Sequence, residues 1–463
     1  MKSLATRIAV ASTLALALLA SSLGPVYAQA FPSYDSGVQV QNLQNTPGSV
    51  TLKSYTEDGT EKIVVAADPI AANGSNTYFA ATLPLGEGFK GSMVVSADVQ
   101  VAAIANIITP GFTAAAAYLA ASEGATSVQL PLLMKNNSGY NTWFAVQNTA
   151  STDATVDITY SDGLTINGVV IKPGASKTFY QSQENHPGDA QGRAVFSAII
   201  TSDQPIVAAV LEETSSLMLA YTGFTGGSTN PVMPLINYQP AIGYQTGVQI
   251  QNIGNVATNV TVTYTPAKDP VSGNPIGTTC TETLTIQNGK SETFALRAFA
   301  PGESPGENST CADGVRFVGA AEVTGNSANQ PLTVIVNQTT GIVAGAYGGF
   351  DPGSVTSKVV LPLIQDRRGA DFQFWTGFNI MNVGNGNTTV TCSYTGSNFT
   401  QQATLAPGGV MNALQKDNIA NGYAGSGTCT TNPPMSIVGV VNQLSQTNPT
   451  MDRLMVSEGA NVD

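Results

Sequence analysis

Four hexamers with nearly the same pattern recur along the chain: "GVQVQN" at 37–42, "WFAVQN" at 143–148, "GVQIQN" at 247–252 and "GFNIMN" at 377–382. Their final residues, Asn42, Asn148, Asn252 and Asn382, are 106, 104 and 130 positions apart. Around each Asn the phase is constant. Two and four residues upstream are apolar: Val40 and Val38, Val146 and Phe144, Ile250 and Val248, Ile380 and Phe378. A hydroxyl stands six upstream (Ser36, Thr142, Thr246, Thr376) and an aromatic eight upstream (Tyr34, Tyr140, Tyr244, Phe374). A period of two is that of a strand with one face in a core. The marker Asn shares the core phase at the strand's end. Its amide is expected to pin the loop that follows by hydrogen bonds to nearby backbone.

Further elements follow each marker in fixed order. A second apolar-alternating run reads "SVTLKSY", "ATVDITY", "NVTVTY" and "TVTCSY". Next comes a turn on Asn73-Gly74, Pro173-Gly174, Asn288-Gly289 or Pro407-Gly408, then a short strand. Two longer runs close each unit, the last nearly all apolar, as in "PIVAAVLEE" (205–213). Three units are introduced by an apolar-Pro-apolar lead: Leu130-Pro131-Leu132, Met233-Pro234-Leu235 and Leu361-Pro362-Leu363. Proline donates no ladder bond, so these are first or edge strands. The Gly-, Ala- and Tyr-rich segments before them (111–121, 217–227, 341–353) read as extended, because glycine is costly inside a helix. Short strands with frequent turns, in units of about a hundred residues, predict β-sandwiches.

These motifs (V-x-V-x-N, V-T-V-x-Y, PG-x-S-x-T-F and, at Ser202–Val210, S-D-x-P-I-x-A-x-V) resemble the tandem immunoglobulin-like repeats of secreted bacterial surface proteins. The resemblance spans the chain after residue 28. It implies an all-β fold of four sandwich domains strung as a rod, at 29–125, 126–229, 230–355 and 356–463. It also implies stalk, adhesive, lattice or sheath roles. The fourth copy departs from it at "PGGVMN", and the first lacks the Leu-Pro lead.

Residues 1–28 read as a cleaved export signal. Lys2 and Arg7 precede the apolar run Ile8–Leu19, and Val26-Tyr27-Ala28 forms a small-residue cleavage site. No later run has the ~18 apolar residues of a membrane span. Loss of this segment takes the formal charge from −12 to −14, which disfavours nucleic acid or anionic membrane as partner. The expected location is extracellular or at the cell surface, without membrane insertion.

Four cysteines fall two to a unit. Cys280–Cys311 and Cys392–Cys429 are the economical pairs, and export permits their oxidation. Spacing and a lone His186 argue against zinc. Gly302-Glu303-Ser304-Pro305-Gly306 matches G-x-S-x-G, but Pro305 has no N–H for an oxyanion hole. No catalytic residue, metal or cofactor is expected. Trp143 and Trp375 are the aromatics a sugar-stacking platform would use, although a sandwich end or domain junction suits them as well.

The expectation is therefore a non-catalytic structural or adhesive protein whose partners are other copies, other surface proteins or polysaccharide. The alternative is a carbohydrate-binding array. From lead Pro to marker Asn the count is 17, 18 and 20 residues in units 2–4, against 10 (Pro32 to Asn42) in unit 1. The tail "SEGANVD" resembles "SEGATSV" at 122–128. Both features suggest head-to-tail contact between subunits by strand addition at an unpaired edge, giving a filament, sheath or lattice.

Overall fold

A computed structural model describes residues 11–14, 33–86, 88–269, 272–302, 308–368, 373–445, 447 and 450–462. Apart from residues 11–14, the export segment lies outside these residues. So does the centre of the G-x-S-x-G loop, 303–307. Strand is the dominant element of the described chain, and helix is limited to one four-residue α-helix at Leu296–Phe299 and three single 3-10 turns.

Repeat 2 shows the plan. A lead strand (Ala125–Lys135) is followed by the marker strand (Asn141–Asn148), a third strand (Ala154–Tyr160) and its hairpin partner (Thr165–Ile171). A fifth strand (Ser176–Tyr180) precedes the sixth and seventh, which run on as one long strand, Ala194–Glu213. An eighth, Met218–Thr222, ends the repeat. Two sheets result, in the orders lead–sixth–third–hairpin and fifth–marker–seventh–eighth. Repeats 3 and 4 have the same order, with lead strands Val232–Tyr238 and Lys358–Arg368 and marker strands Gln245–Asn252 and Phe374–Asn382. Alternation places Val156, Ile158 and Tyr160 of the third strand inside and their neighbours outside. The lead strand lies on the sixth, whereas immunoglobulin constant domains place the first strand in the sheet order ABED. The likeness to that fold is thus at the level of a two-layer sandwich.

Repeat 1 differs at one position. Its sixth strand, Gly91–Ala97, has the third strand, Gly48–Thr56, on one side. On the other side, where a lead strand belongs, lie Ala11–Leu14.

The rod expected from the repeats is not what forms. The eighth strands, Ala115–Leu119, Met218–Thr222, Ala344–Gly348 and Leu454–Glu458, gather around one axis. Each packs on the next, and the fourth returns to the first. They are called axial strands below. The cause is apolar character on both faces of the inner sheet. One face fills the repeat's own core. The other, in repeat 2 Trp143, Ala145, Val207, Ala209 and Leu211, is buried in a cluster with repeat 1. Repeat 3 supplies Ile335, Ala344 and Ala346 to the cluster of repeat 2, and repeat 4 supplies Leu454 and Val456 to that of repeat 3. Ile104, Ala115 and Ala117 of repeat 1 meet Leu363, Phe374 and Met455 of repeat 4, which closes the ring. Small residues are required at the axis. A Cβ on Gly345 would come within 2.2 Å of Val456.

The Asn-Gly and Pro-Gly turns dock each repeat on its predecessor. Ser92 Oγ donates to Gly174 O at 2.6 Å, and Ser197 Oγ to Gly289 O at 3.4 Å. Gly408 lies beside Glu322, and Thr395 Oγ1 donates to Asn73 O at 3.1 Å across the closure.

Candidate functional site

The four marker asparagines are all fully buried and hold identical networks. In repeat 2, Asn148 Nδ2 donates to Thr152 O at 2.7 Å and Ile171 O at 2.9 Å, while Oδ1 accepts from Ala150 N–H at 2.8 Å. Asn42 binds Thr46 O, Ala71 O and Gln44 N–H; Asn252 binds Val256 O, Ile286 O and Gly254 N–H. Asn382 binds Gly386 O, Leu405 O and Gly384 N–H. One side chain thus joins the loop after the marker strand to the end of the hairpin strand. The loop geometry, and the docking turn beside it, depend on that amide.

Disulfides Cys280–Cys311 and Cys392–Cys429 are formed. The first ties the hairpin strand of repeat 3 to the long loop after its short helix. The second crosses from the third to the sixth strand of repeat 4, where the two cysteines are register partners. Such bonds suit an oxidising, non-cytoplasmic compartment. No helix among the described residues is long and apolar enough to cross a membrane. No group of three His, Cys, Asp or Glu side chains among them could hold a metal.

Trp143 does not face solvent. It is 2 % exposed and packs at the junction of repeats 1 and 2, its ring centroid 5.9 Å from that of Tyr34 and 6.0 Å from that of Tyr180. The second apolar face of the marker strand put it there, so it cannot stack on a sugar. Trp375 is half-buried, with Lys416 Nζ 4.6 Å from its ring centroid. His186 is buried in repeat 2, hydrogen-bonded to Asp162 and Gln181 and stacked on Phe196. Burial lowers its pKa.

The ring interior holds carboxylates that the sequence pattern did not single out. Glu212 and Glu213, adjacent on one strand, point to opposite faces, and both are buried. Glu212 accepts from Asn337 Nδ2 of repeat 3 at 2.6 Å, and Glu213 accepts from the Tyr34 hydroxyl of repeat 1. Burial pushes the pKa of Glu212 up to about 8. Asp452 ties three repeats at one end of the axis, accepting from Met218 N–H at 2.8 Å and Ala344 N–H at 2.9 Å. Arg453 Nε beside it donates to Phe112 O of repeat 1 at 2.9 Å. At the other end, the tips of all four axial strands line a cavity of about 560 Å³, with Glu458 accepting from Gly348 N–H.

The most unusual geometry is at the lead position of repeat 1. In repeats 2 to 4 the hydroxyl six before the marker Asn serves the lead strand. Thr142 accepts from Met134 N–H at 2.9 Å, Thr246 from Asn237 N–H at 3.0 Å and Thr376 from Gln365 N–H at 2.7 Å. Tyrosines of the axial strands reach it too. Tyr221 donates to Leu132 O at 2.6 Å, and Tyr347 to Leu235 O. In repeat 1 the corresponding groups, Ser36 Oγ and the Tyr118 hydroxyl, are each on residues 2 % exposed and have no hydrogen-bond partner among the described residues. The sequence marked Ser36 only as a repeat feature; its service to the lead strand needs three-dimensional pairing to be seen.

No known family model matches the chain, and no curated protein sequence matches it.

Proposed function

We propose that this is an exported, non-catalytic structural or adhesive protein of the bacterial cell surface, in which four immunoglobulin-like sandwiches form one rigid body that associates with other copies or other surface proteins. The observation that carries this reading is what the repeated motifs do. The marker Asn, the Asn-Gly and Pro-Gly turns and the axial strands all serve to hold the sandwiches to themselves and to each other. A chain that devotes its recurrent residues to packing and docking is suited to bearing load and presenting surface. The acidic, weakly charged exterior fits contact with neutral or basic partners better than with nucleic acid. Association by strand addition at the lead position of repeat 1 supplies a route to filament, sheath or lattice.

Labelled antibody on intact cells, together with negative-stain electron microscopy of the exported protein at high concentration, tests the proposal. The expected result is surface label and ordered assemblies. Label confined to the medium, with monodisperse particles at every concentration, would overturn it.

A further inference from the structure

The lead strands of repeats 2 to 4 share one register. Leu130, Met233 and Leu361, each the residue before the lead proline, lie opposite Ala198, Ala321 and Gly427 of the sixth strand. Those three in turn face Tyr160, Tyr264 and Tyr394 of the third strand. In repeat 1 the equivalent sixth-strand residue is Met93, opposite Ser54, and its partner on the other side is Leu14. Residues 11–14 therefore pair in the register of a true lead strand.

Beyond this point the lead strands bulge. The next pairs are Leu133–Phe196, Ile236–Gly319 and Ile364–Gly425, which leaves one extra residue on the lead side at the Pro-Leu step. That bulge frees Leu132 and Leu235 from the ladder. Their N–H and C=O groups meet the hydroxyls of Tyr221 and Tyr347 instead. Four residues past the register point come the N–H groups bound by the marker-strand hydroxyls. Repeat 1 keeps both receiving groups, Tyr118 and Ser36, buried and unpartnered, beside an edge whose Met93 and Val95 are fully buried. In the sequence, however, the residue after Leu14 is alanine, whereas proline follows Leu130, Met233 and Leu361.

We propose that the lead-side edge of Gly91–Ala97 in repeat 1, paired here by Ala11–Leu14, is a binding site for an extended, uncharged strand of the pattern apolar-x-apolar-Pro-apolar, donated by another polypeptide, and that Ala11–Leu14 hold this site only until that strand replaces them. Ladder bonds to the edge supply affinity. The Ser36 and Tyr118 hydroxyls read the bulge and therefore the proline. This deepens the assembly reading by naming what the edge accepts. Peptide binding is measured separately from self-association, so either can fail alone.

The test uses the uncleaved chain, residues 1–463 with the export segment confirmed present by intact mass, and a fluorescein-labelled peptide of the chain's own lead sequence, SVQLPLLM (Ser127–Met134). A Ser12→Pro/Thr13→Pro variant removes the N–H that faces the edge, whichever of the two does so. This variant is expected to bind the peptide saturably, at least about tenfold tighter than the unaltered chain. Hydrogen exchange should slow at amides 92–96 on binding. A peptide with aspartate in place of Leu130 should not bind. Adding Ser36→Ala and Tyr118→Phe should weaken binding about tenfold, since two hydrogen bonds are lost. Exchange in repeats 2 to 4 reports that each variant is folded. Equal binding by the unaltered and double-proline chains, no binding by either, or protection elsewhere than 92–96 would overturn the proposal.

Discussion

Replacing Asn148 by alanine removes one side chain and three hydrogen bonds, at 2.7, 2.9 and 2.8 Å. The side chain is fully buried, so water cannot replace them at Ile171 O without a rearrangement. At about 1 kcal/mol net per bond the loss is roughly 3 kcal/mol, with more if the freed groups stay dry. Asn148→Asp at neutral pH should be worse than alanine. It sets a carboxylate oxygen against two carbonyl oxygens, and only its protonated form can donate. The Asp variant should therefore recover stability as pH falls, which Ala cannot do. Urea unfolding, with hydrogen exchange at residues 149–153 as the local readout, measures both. A loss under about 1 kcal/mol for alanine, or an Asp variant indifferent to pH, would refute the view that this amide pins the loop.

Other consequences follow from the interfaces. Glu212 has a folded-state pKa of about 8, against an ordinary 4.5, so its neutral form favours the fold. Its contribution is complete below pH 4.5 and is lost as pH rises through about 8. Glu212→Gln keeps the bond to Asn337 and should flatten the decline in thermal stability between about pH 5 and pH 8. Reduction of both disulfides, which close loops of 31 and 37 residues, should cost about 4 kcal/mol each by loop entropy and act on repeats 3 and 4 alone. Calorimetry with and without reductant checks this. Trp143→Ala should cost about 3–5 kcal/mol and loosen repeat 1 against repeat 2, seen as faster exchange at 33–42 and 205–213.

Much of the single repeat is legible in its residues. Val38 and Val40, and their three counterparts, set the strand phase, and the Asn that ends the hexamer announces its own loop. In units 3 and 4, two cysteines apiece point to their own partners. The ring was harder to see. Alternation reveals which face of a strand is apolar, and in "WFAVQN" and "IVAAVLEE" both faces are. Local pattern says that such a strand is covered twice, but not by what. The second cover is another repeat a hundred residues away, and that choice took Trp143 out of solvent. The docking turns carry the same ambiguity, since Asn-Gly and Pro-Gly announce a bend and not its neighbour. Tyr55 shows a smaller failure. It ends the run "SVTLKSY" as Tyr160, Tyr264 and Tyr394 end theirs, yet it lies one residue out of phase, half-exposed, with Ser54 in the buried position.

Closure of the four repeats around the axis underlies every interface described above. Small-angle scattering of the monomer peak as it elutes from a sizing column measures it directly. A closed ring of this length should give a radius of gyration near 23 Å, the value of a compact chain. Four separate sandwiches in a line, each about 13 Å in radius of gyration and spaced by roughly 40 Å, would give more than about 40 Å and contradict the account.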